Sequence, residues 1–238
     1  MSVPHEFFAF VLTGAGMSAD SGVPTFRGGG GLWEGQRVED VATPEAWTRN
    51  PAQVWRFYQQ RRASLLQVEP HAGHHALVLL ERELERRGCA LRLVTQNVDG
   101  LHARAGSTAL CMHGELEVLR CEQCGTRVRD MQHLDPERFV RCPNCEYERM
   151  RPDVVWFGEE PRGMAEIETW LLEAERFAAI GTSGRVWPAA GFLDFARQRG
   201  VPTLVQDLEA QPDQDPGDRF LAGRAVDVVP QIVADWLQ

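Results

Sequence analysis

The chain of 238 residues contains no lysine; all 25 of its basic residues are arginine. It therefore offers no side-chain amine for acylation. Tyrosine is almost as scarce, with only Tyr58 and Tyr147. No apolar run approaches the ~18 residues of a membrane span. The residues ahead of Phe7 hold no basic stretch of the kind that opens a secretory signal, so the expected location is the cytoplasm. The net charge of −9 and the lack of any arginine-rich run exclude an extended nucleic-acid footprint. What remains is one large domain, or one with inserts, whose 43% hydrophobic content suffices for a buried core. It is expected to act as a monomer.

The six cysteines do not form a disulfide framework. Four fall as Cys121-x2-Cys124 and Cys142-x2-Cys145 with 17 residues between the pairs, a zinc-ligand spacing. Each pair brings two thiolates to one side of a tetrahedral ion. Four of them leave no open coordination position, so the expected Zn2+ is structural. Cys89 and Cys111 lie by apolar runs and read as buried thiols.

The chain is organised around G-A-G-M-S-A-D-S-G-V-P-T-F-R-G, Gly14 to Gly28. The apolar run Phe7 to Leu12 before it has strand length, and Ser18 to Ser21 can open a helix. A strand, a glycine turn and a helix start make an anion cradle. Gly14 permits the turn, Gly16 admits a diphosphate, and Ala19 is the third small residue of the dinucleotide fingerprint. A dehydrogenase would continue to a second strand ending in an acidic residue. Here the chain enters Pro24-Thr25-Phe26-Arg27 and Gly28 to Gly31, a loop that can fold over a ligand whose glycosidic bond is cleaved.

Beyond it, Thr43 caps a helix with Pro44 at its first position, and a second helix is expected from Pro51 to Leu66. His71, His74 and His75 open another helix and read as solvated, because no acidic partner lies near to complete a metal site. Strands are expected at Leu91–Thr95, Ala109–Met112, Phe177–Ile180 and Pro202–Val205, and the apolar run Val154–Phe157 follows the cysteine segment. Helices are expected near Met164–Glu175 and Pro188–Gly200, with a last one from Pro230; Gln211 to Asp218 reads as a surface loop. The alternation predicts an α/β fold, a Rossmann-like parallel sheet with helices on both faces. The expected parts are a Rossmann-like portion at about 1–31, 71–118 and 151–238, a helical insert at about 32–70 and a zinc-binding module at about 119–150.

In an open parallel sheet, ligands sit beyond the carboxyl ends of the strands. Four polar clusters fall there: Gly14–Arg27, Gln96–Asp99, His113 and Gly181–Ser183. His113 is their one base that titrates near neutrality. No serine or cysteine nucleophile accompanies it, so the nucleophile is expected to come from the substrate.

These segments resemble the sirtuins, NAD-dependent protein-lysine deacylases. The matching pieces are the Gly14–Gly28 stretch, Q-N-V-D-G-L-H (Gln96 to His102), M-H-G-E-L (Met112 to Leu116), the four cysteines, F-G-E (Phe157 to Glu159), G-T-S (Gly181 to Ser183) and P-A-A-G-F (Pro188 to Phe192). They follow the family's order over most of the chain. The resemblance implies that NAD lies against Gly14, Ala15, Gly16, Ser18 and Ala19, with Phe26 and Arg27 closing over its nicotinamide end. It assigns Gln96, Asn97, Val98 and Asp99 to the nicotinamide and ribose. Gly181, Thr182, Ser183, Asp207, Leu208, Glu209 and Ala225 serve the adenosine side. It gives catalytic roles to His113, Asn97 and Asp99. The acyl oxygen attacks C1′ of the nicotinamide ribose as nicotinamide leaves, and His113 is general base on a ribose hydroxyl. The products are free lysine, nicotinamide and 2′-O-acyl-ADP-ribose. The peptide substrate would add as a strand between Val155, Phe157, Gly158 and Glu159 on one side and Gly184 and Val186 on the other. One departure stands out: Asp207 replaces the family's asparagine.

Ala42, Tyr58 and Arg61 narrow the acyl group. Tyr58 and Arg61 share a helix face, and a phenol beside a guanidinium reads a terminal carboxylate. The pattern resembles the sirtuin class that removes succinyl and malonyl groups. The competing function is a protein ADP-ribosyltransferase using the same NAD site. A nicotinamide oxidoreductase lacks the ribose-binding acid, and a zinc-ribbon binding module is the non-enzymatic alternative.

Overall fold

The structure, a computed structural model, describes residues 7–25, 32–33, 35–182, 184, 186–210 and 214–238. The chain runs β1 (Phe8–Thr13), α1 (Gly16–Ala19), β2 (Leu32–Trp33), β3 (Gln36–Arg37), α2 (Val38–Val41), α3 (Pro44–Arg49), α4 (Pro51–Ser64) and a 3-10 turn (Leu65–Gln67). It continues with α5 (Ala72–Arg86), β4 (Ala90–Thr95), α6 (Leu101–Ala105), β5 (Leu110–Cys111), β6 (Gly114–Cys121), β7 (Arg127–Arg129), β8 (Met150–Val154) and α7 (Met164–Glu173). Then come β9 (Arg176–Ile180), α8 (Ala190–Gln198), β10 (Thr203–Asp207), β11 (Arg219–Ala222) and α9 (Ala225–Leu237).

Six strands form one parallel sheet in the order β11-β10-β9-β1-β4-β5. Period-two alternation divides the central strand β1 between two cores. Ala9 and Val11 pack with α5 and α9 through Leu77, Leu80, Val229 and Ile232. Phe10 and Leu12 face α7 and α8 through Ile167, Leu171 and Phe192, and the Phe10 ring stacks on Phe177 at 5.3 Å. Full burial of each such side chain is worth about 1.5–3 kcal/mol, so both faces of the sheet are sealed and only its strand ends are open for ligands.

A third core belongs to a smaller lobe. Helices α2–α4 pack against the antiparallel sheet β7-β6-β8 through Trp47, Trp55, Tyr58, Leu119 and Trp156. The helical segment and the cysteine segment thus share one interior. The indole N–H of Trp55 donates to the carbonyls of Asp135 and Arg138, each at 3.1 Å, and ties the two together.

Side-chain caps mark the starts of α3, α4 and α5. Thr43 Oγ1 accepts from Ala46 N at 3.1 Å and caps α3, as its sequence predicts. Three expectations are corrected. The last helix begins at Ala225, with Pro230 inside it; apolar packing of this helix on α5 outweighs one missing backbone hydrogen bond. A sheet strand that the sequence reading did not expect, β11, lies between Asp218 and the last helix. His74 is not solvated: it is fully buried, packed edge-on between His71 and His102 at ring distances of 4.3 and 5.0 Å, while His71 caps α5.

Candidate active site

The parallel strands end in loops that converge on one cavity of about 660 Å3, roofed by the smaller lobe. Gly14, Ala15, Gly16 and Ala19 after β1, Gln96 to Asp99 after β4, His113 after β5 and Gly181 and Thr182 after β9 all line it. So do Asp207 at the end of β10, Leu208 just after it and Ala225 at the start of α9.

The glycines of the first loop have a different reason from the one their spacing suggests. A Cβ on Gly14 would lie 2.8 Å from Gly181 O, and one on Gly16 would lie 2.7 Å from Gly181 Cα. The β1 turn and the β9 turn press directly together. Gly14 N and Gly16 N are spent on Ile180 O and Gly181 O, at 3.0 and 2.8 Å. The α1 helix is a single turn of four residues. Close backbone packing, more than free amides and a helix dipole, accounts for these glycines. Gly181 itself has φ +58°, a conformation open to glycine.

Asn97 is fixed from two sides: its Nδ2 donates to Gly14 O at 2.9 Å and to Ser18 Oγ at 3.0 Å. Ser18 is fully buried beneath the cavity and does not line it, so it orients neighbours and does not reach a ligand. Asp99 accepts from Leu101 N at 2.9 Å. Burial holds its carboxyl above the usual range. Gln96 Nε2 donates to Thr182 Oγ1 at 2.9 Å and joins two of the loops.

His113 Nδ1 lies 3.1 Å from Gln96 O. A carbonyl only accepts, so Nδ1 carries the proton and Nε2 keeps its lone pair. Burial pushes the imidazole below its ordinary pKa. The ring is neutral near pH 7 and suited to accept a proton.

The lobe side of the cavity is formed by Ala42, Tyr58, Arg61 and the segment Val155 to Glu159. Trp156 Nε1 donates to Tyr58 Oη at 3.0 Å, so the phenol keeps its own O–H as a donor. Arg61 is 8% exposed, stacks its guanidinium 3.2 Å over the Phe57 ring and donates to Phe57 O at 2.6 Å. Glu159 is engaged within its own loop: Arg151 grips both its oxygens at 2.8 Å, and Trp156 N donates to it at 2.9 Å. Its carboxylate shapes the Phe157–Gly158 rim.

Val186 lines the cavity, whereas Gly184 and Glu209 are exposed and lie off its wall. Phe26, Arg27 and Ser183 lie outside the described residues. Asp20, Trp187, Gly223 and Arg224 line the cavity without having been singled out in the sequence. Asp20 lies within the quoted Gly14–Gly28 stretch and Trp187 immediately before the quoted Pro188–Phe192 motif, which was the available signal.

The cysteine prediction holds in geometry. The ligand atoms of Cys121, Cys124, Cys142 and Cys145 lie within 4.8 Å of one another, and two pairs of sulfurs are 3.6 Å apart. Four sulfurs each ~2.3 Å from a tetrahedral Zn2+ stand at about this separation, so the tetrad fits one structural zinc. Among the described residues it is the one such cluster. Cys89 and Cys111 are half-buried, more open than expected, because each sits at the end of an element. Burial pushes the Cys111 thiol up to about 12, which leaves it unreactive. No helix among the described residues is long and apolar enough to cross a membrane.

Comparison with known proteins agrees with this geometry. The family signature described as "Sir2 family" matches residues 14–188. An "NAD-dependent protein deacylase" of Yersinia pseudotuberculosis is 47% identical over 234 residues, 97% of this chain and 82% of the relative. A protein of the same description from Caulobacter vibrioides is 47% identical, covering 93% of each chain. A solved structure described as a Sir2 homologue–NAD complex superposes with a TM-score of 0.84 at 33% identity, covering 99% of this chain and 92% of the other. With the parallel sheet, the cysteine tetrad and the His113 cavity in place, the chain belongs to the Sir2 family, the sirtuins.

Proposed function

We propose that the chain is an NAD-dependent protein-lysine deacylase that removes acetyl, succinyl and malonyl groups, releasing nicotinamide and 2′-O-acyl-ADP-ribose. The observation that carries this reading is a single cavity that holds both a neutral His113 and, on its opposite wall, the Tyr58–Arg61 pair. NAD, when bound, would supply a ribose whose anomeric carbon loses nicotinamide and accepts the acyl oxygen. The residues that would hold it are Gly14 to Gly16, Ala19, Gln96 to Asp99 and the strand-end residues up to Ala225.

The chain's own contribution is positional and protolytic. His113 Nε2 takes a proton from a ribose hydroxyl, with Gln96 O holding the ring's tautomer. Asn97, whose amide nitrogen is pinned to Gly14 O and Ser18 Oγ, would offer its amide oxygen to the ribose from a fixed place. Tyr58 donates its O–H and Arg61 its guanidinium to the carboxylate of a succinyl or malonyl group, while Ala42 leaves room for it. The Val155–Glu159 rim, set by the Arg151–Glu159 clamp, and Val186 opposite would receive the peptide backbone as an added strand.

Turnover of acetyl-, malonyl- and succinyl-lysine peptides with NAD tests this reading, with products analysed by mass spectrometry. Formation of O-acyl-ADP-ribose supports it. ADP-ribosylated protein without free lysine would replace it by the transferase alternative.

A further inference from the structure

The rim loop of the cavity begins and ends at one ion pair. Residues 154–159 and Pro161 line the cavity; the chain enters this loop from Asp153 and leaves it at Arg162. Arg162 Nη2 donates to Asp153 O at 2.9 Å and also to Asp153 Oδ1, so a single nitrogen closes the base of the loop. Compact surface loops of this length have ends that lie close together, and here a charge-assisted contact holds them.

The same base seats the backbone of His113. Met112 O, just before it, accepts from Arg162 N at 2.9 Å, and His113 O accepts from Val155 N at 2.8 Å. Gly114, just after it, pairs with Val154 across β6 and β8 and has φ +86°. A Cβ on Gly114 would run into Asp153 O and stand 3.1 Å from Arg162 Nη2. Residues 112 to 114 thus all rest against the base of the loop. Gln96 O fixes the tautomer through Nδ1; where the ring stands follows from this backbone.

Asp153 is 1% exposed and has two further cations. Arg127 of β7 donates to Oδ2, and Arg120 of β6 lies 3.8 Å from Oδ1. Loss of Arg162 would leave the buried carboxylate paired, so the penalty of a stranded charge does not arise. Arg127 reaches Asp153 from outside the loop, whereas Arg162 joins the loop's two ends.

We infer that Arg162, through its bonds to Asp153, is a positioning residue that seats His113 and the peptide-facing rim together. The inference rests on the reading above that His113 is the base of a deacylase. The zinc-loaded full chain and its Arg162→Met, Arg162→Lys and Arg127→Met variants test it, with kcat on an acetyl-lysine peptide taken per ADP-ribose site counted by calorimetry, so that unfolded protein does not enter. Arg162→Met should lower kcat roughly ten-fold or more, while its affinity for ADP-ribose stays within about two-fold of the wild type. Arg162→Lys should recover most of the loss, because one ammonium can make both bonds that one guanidinium nitrogen makes now. Arg127→Met, which also takes one cation from Asp153, should keep kcat within about two-fold of the wild type. No loss in Arg162→Met, equal losses in Arg162→Met and Arg127→Met, or a lysine variant no better than the methionine one overturns the inference and leaves the deacylase reading standing. A wild type that binds ADP-ribose and releases no free lysine overturns both.

Discussion

The imidazole of His113 donates Nδ1–H to the carbonyl oxygen of Gln96, 3.1 Å away. That bond belongs to the neutral ring as well as to the cation, whereas burial penalises only the cation, so the pKa falls. The base form is present above this lowered pKa and is lost as the pH drops through it. The acid limb of a kcat–pH profile should therefore fall below ~6.5, the ordinary histidine value. His113→Asn should lower kcat roughly 10²–10⁴-fold across the whole range. An acid limb unchanged in that variant would assign it to another group.

On the opposite wall, Arg61 and Tyr58 make a carboxylate-specific prediction. Arg61→Met retains the length of the side chain and removes the charge. It should lower kcat/KM for succinyl-lysine peptides by roughly 10²-fold or more, the worth of a charge-assisted pair, and spare acetyl-lysine peptides. Equal losses on both substrates would make Arg61 a structural residue resting on the Phe57 ring.

The split of β1 into Ala9 and Val11 on one face and Phe10 and Leu12 on the other is legible in the sequence, because a strand's period of two is local. So are the Thr43 cap and the cysteine spacing. The four polar clusters could be placed at strand ends by alternation alone. What stayed hidden depends on residues far apart in the chain. Tyr58 meets Trp156 across 98 positions, and the shared interior of the two inserted segments follows from such contacts. His74 looked like a solvated residue at a helix start because its burial involves His102, 28 positions away in the chain. Strand β11 is short, at the sheet edge and only half-buried, so it carries no strong apolar pattern. The reason for Gly14 and Gly16 lay in Gly181, on another strand.

Removal of the metal should report through a tryptophan. Trp47 Nε1 donates to Glu122 Oε2 at 2.8 Å, next to the ligand Cys121. Stripping zinc with a chelator should unfold the β6–β8 segment, red-shift the emission of Trp47 and abolish activity, because Val155 to Glu159 follow β8 directly into the cavity. Trp47→Phe should remove the largest part of the spectral change. Full activity in metal-free protein would refute a structural metal.

The buried histidines make the fold sensitive to acid. Burial, followed by the nearby His71, lowers the pKa of His102 to about 4, and burial depresses His74 further still. The unfolded chain takes up these protons near its ordinary value of ~6.5 while the folded chain refuses them. Stability is thus fully present above ~6.5 and is lost as the pH falls toward 4, by about 3 kcal/mol for His102 alone. Asp99, whose carboxyl is raised by burial, works in the opposite direction. The check is a difference measurement: denaturant midpoints between pH 7.5 and 4.5 should fall less steeply for His102→Gln than for the wild type. Parallel slopes would contradict the assignment.

Gly181 offers the sharpest test of how the cavity floor is built. Its φ of +58° disfavours any side chain, and a Cβ there would stand 2.3 Å from Met17 N and 2.5 Å from Gly16 C. Neither contact can be relieved by a rotamer change, because both partners are backbone. Gly181→Ala must push the end of β9 away from the β1 turn, breaking the Gly16 N to Gly181 O bond and displacing Asn97, which hangs from Gly14 O. The cost should be at least about 2 kcal/mol, read as a lowered thermal midpoint, together with a raised KM for NAD. Gly200→Ala, also at positive φ but with nothing within 4 Å, is the matched control. It carries the backbone strain alone, so its stability loss should be smaller and its KM unchanged. If the two variants behaved alike, the close approach of the two turns would not be what those glycines serve.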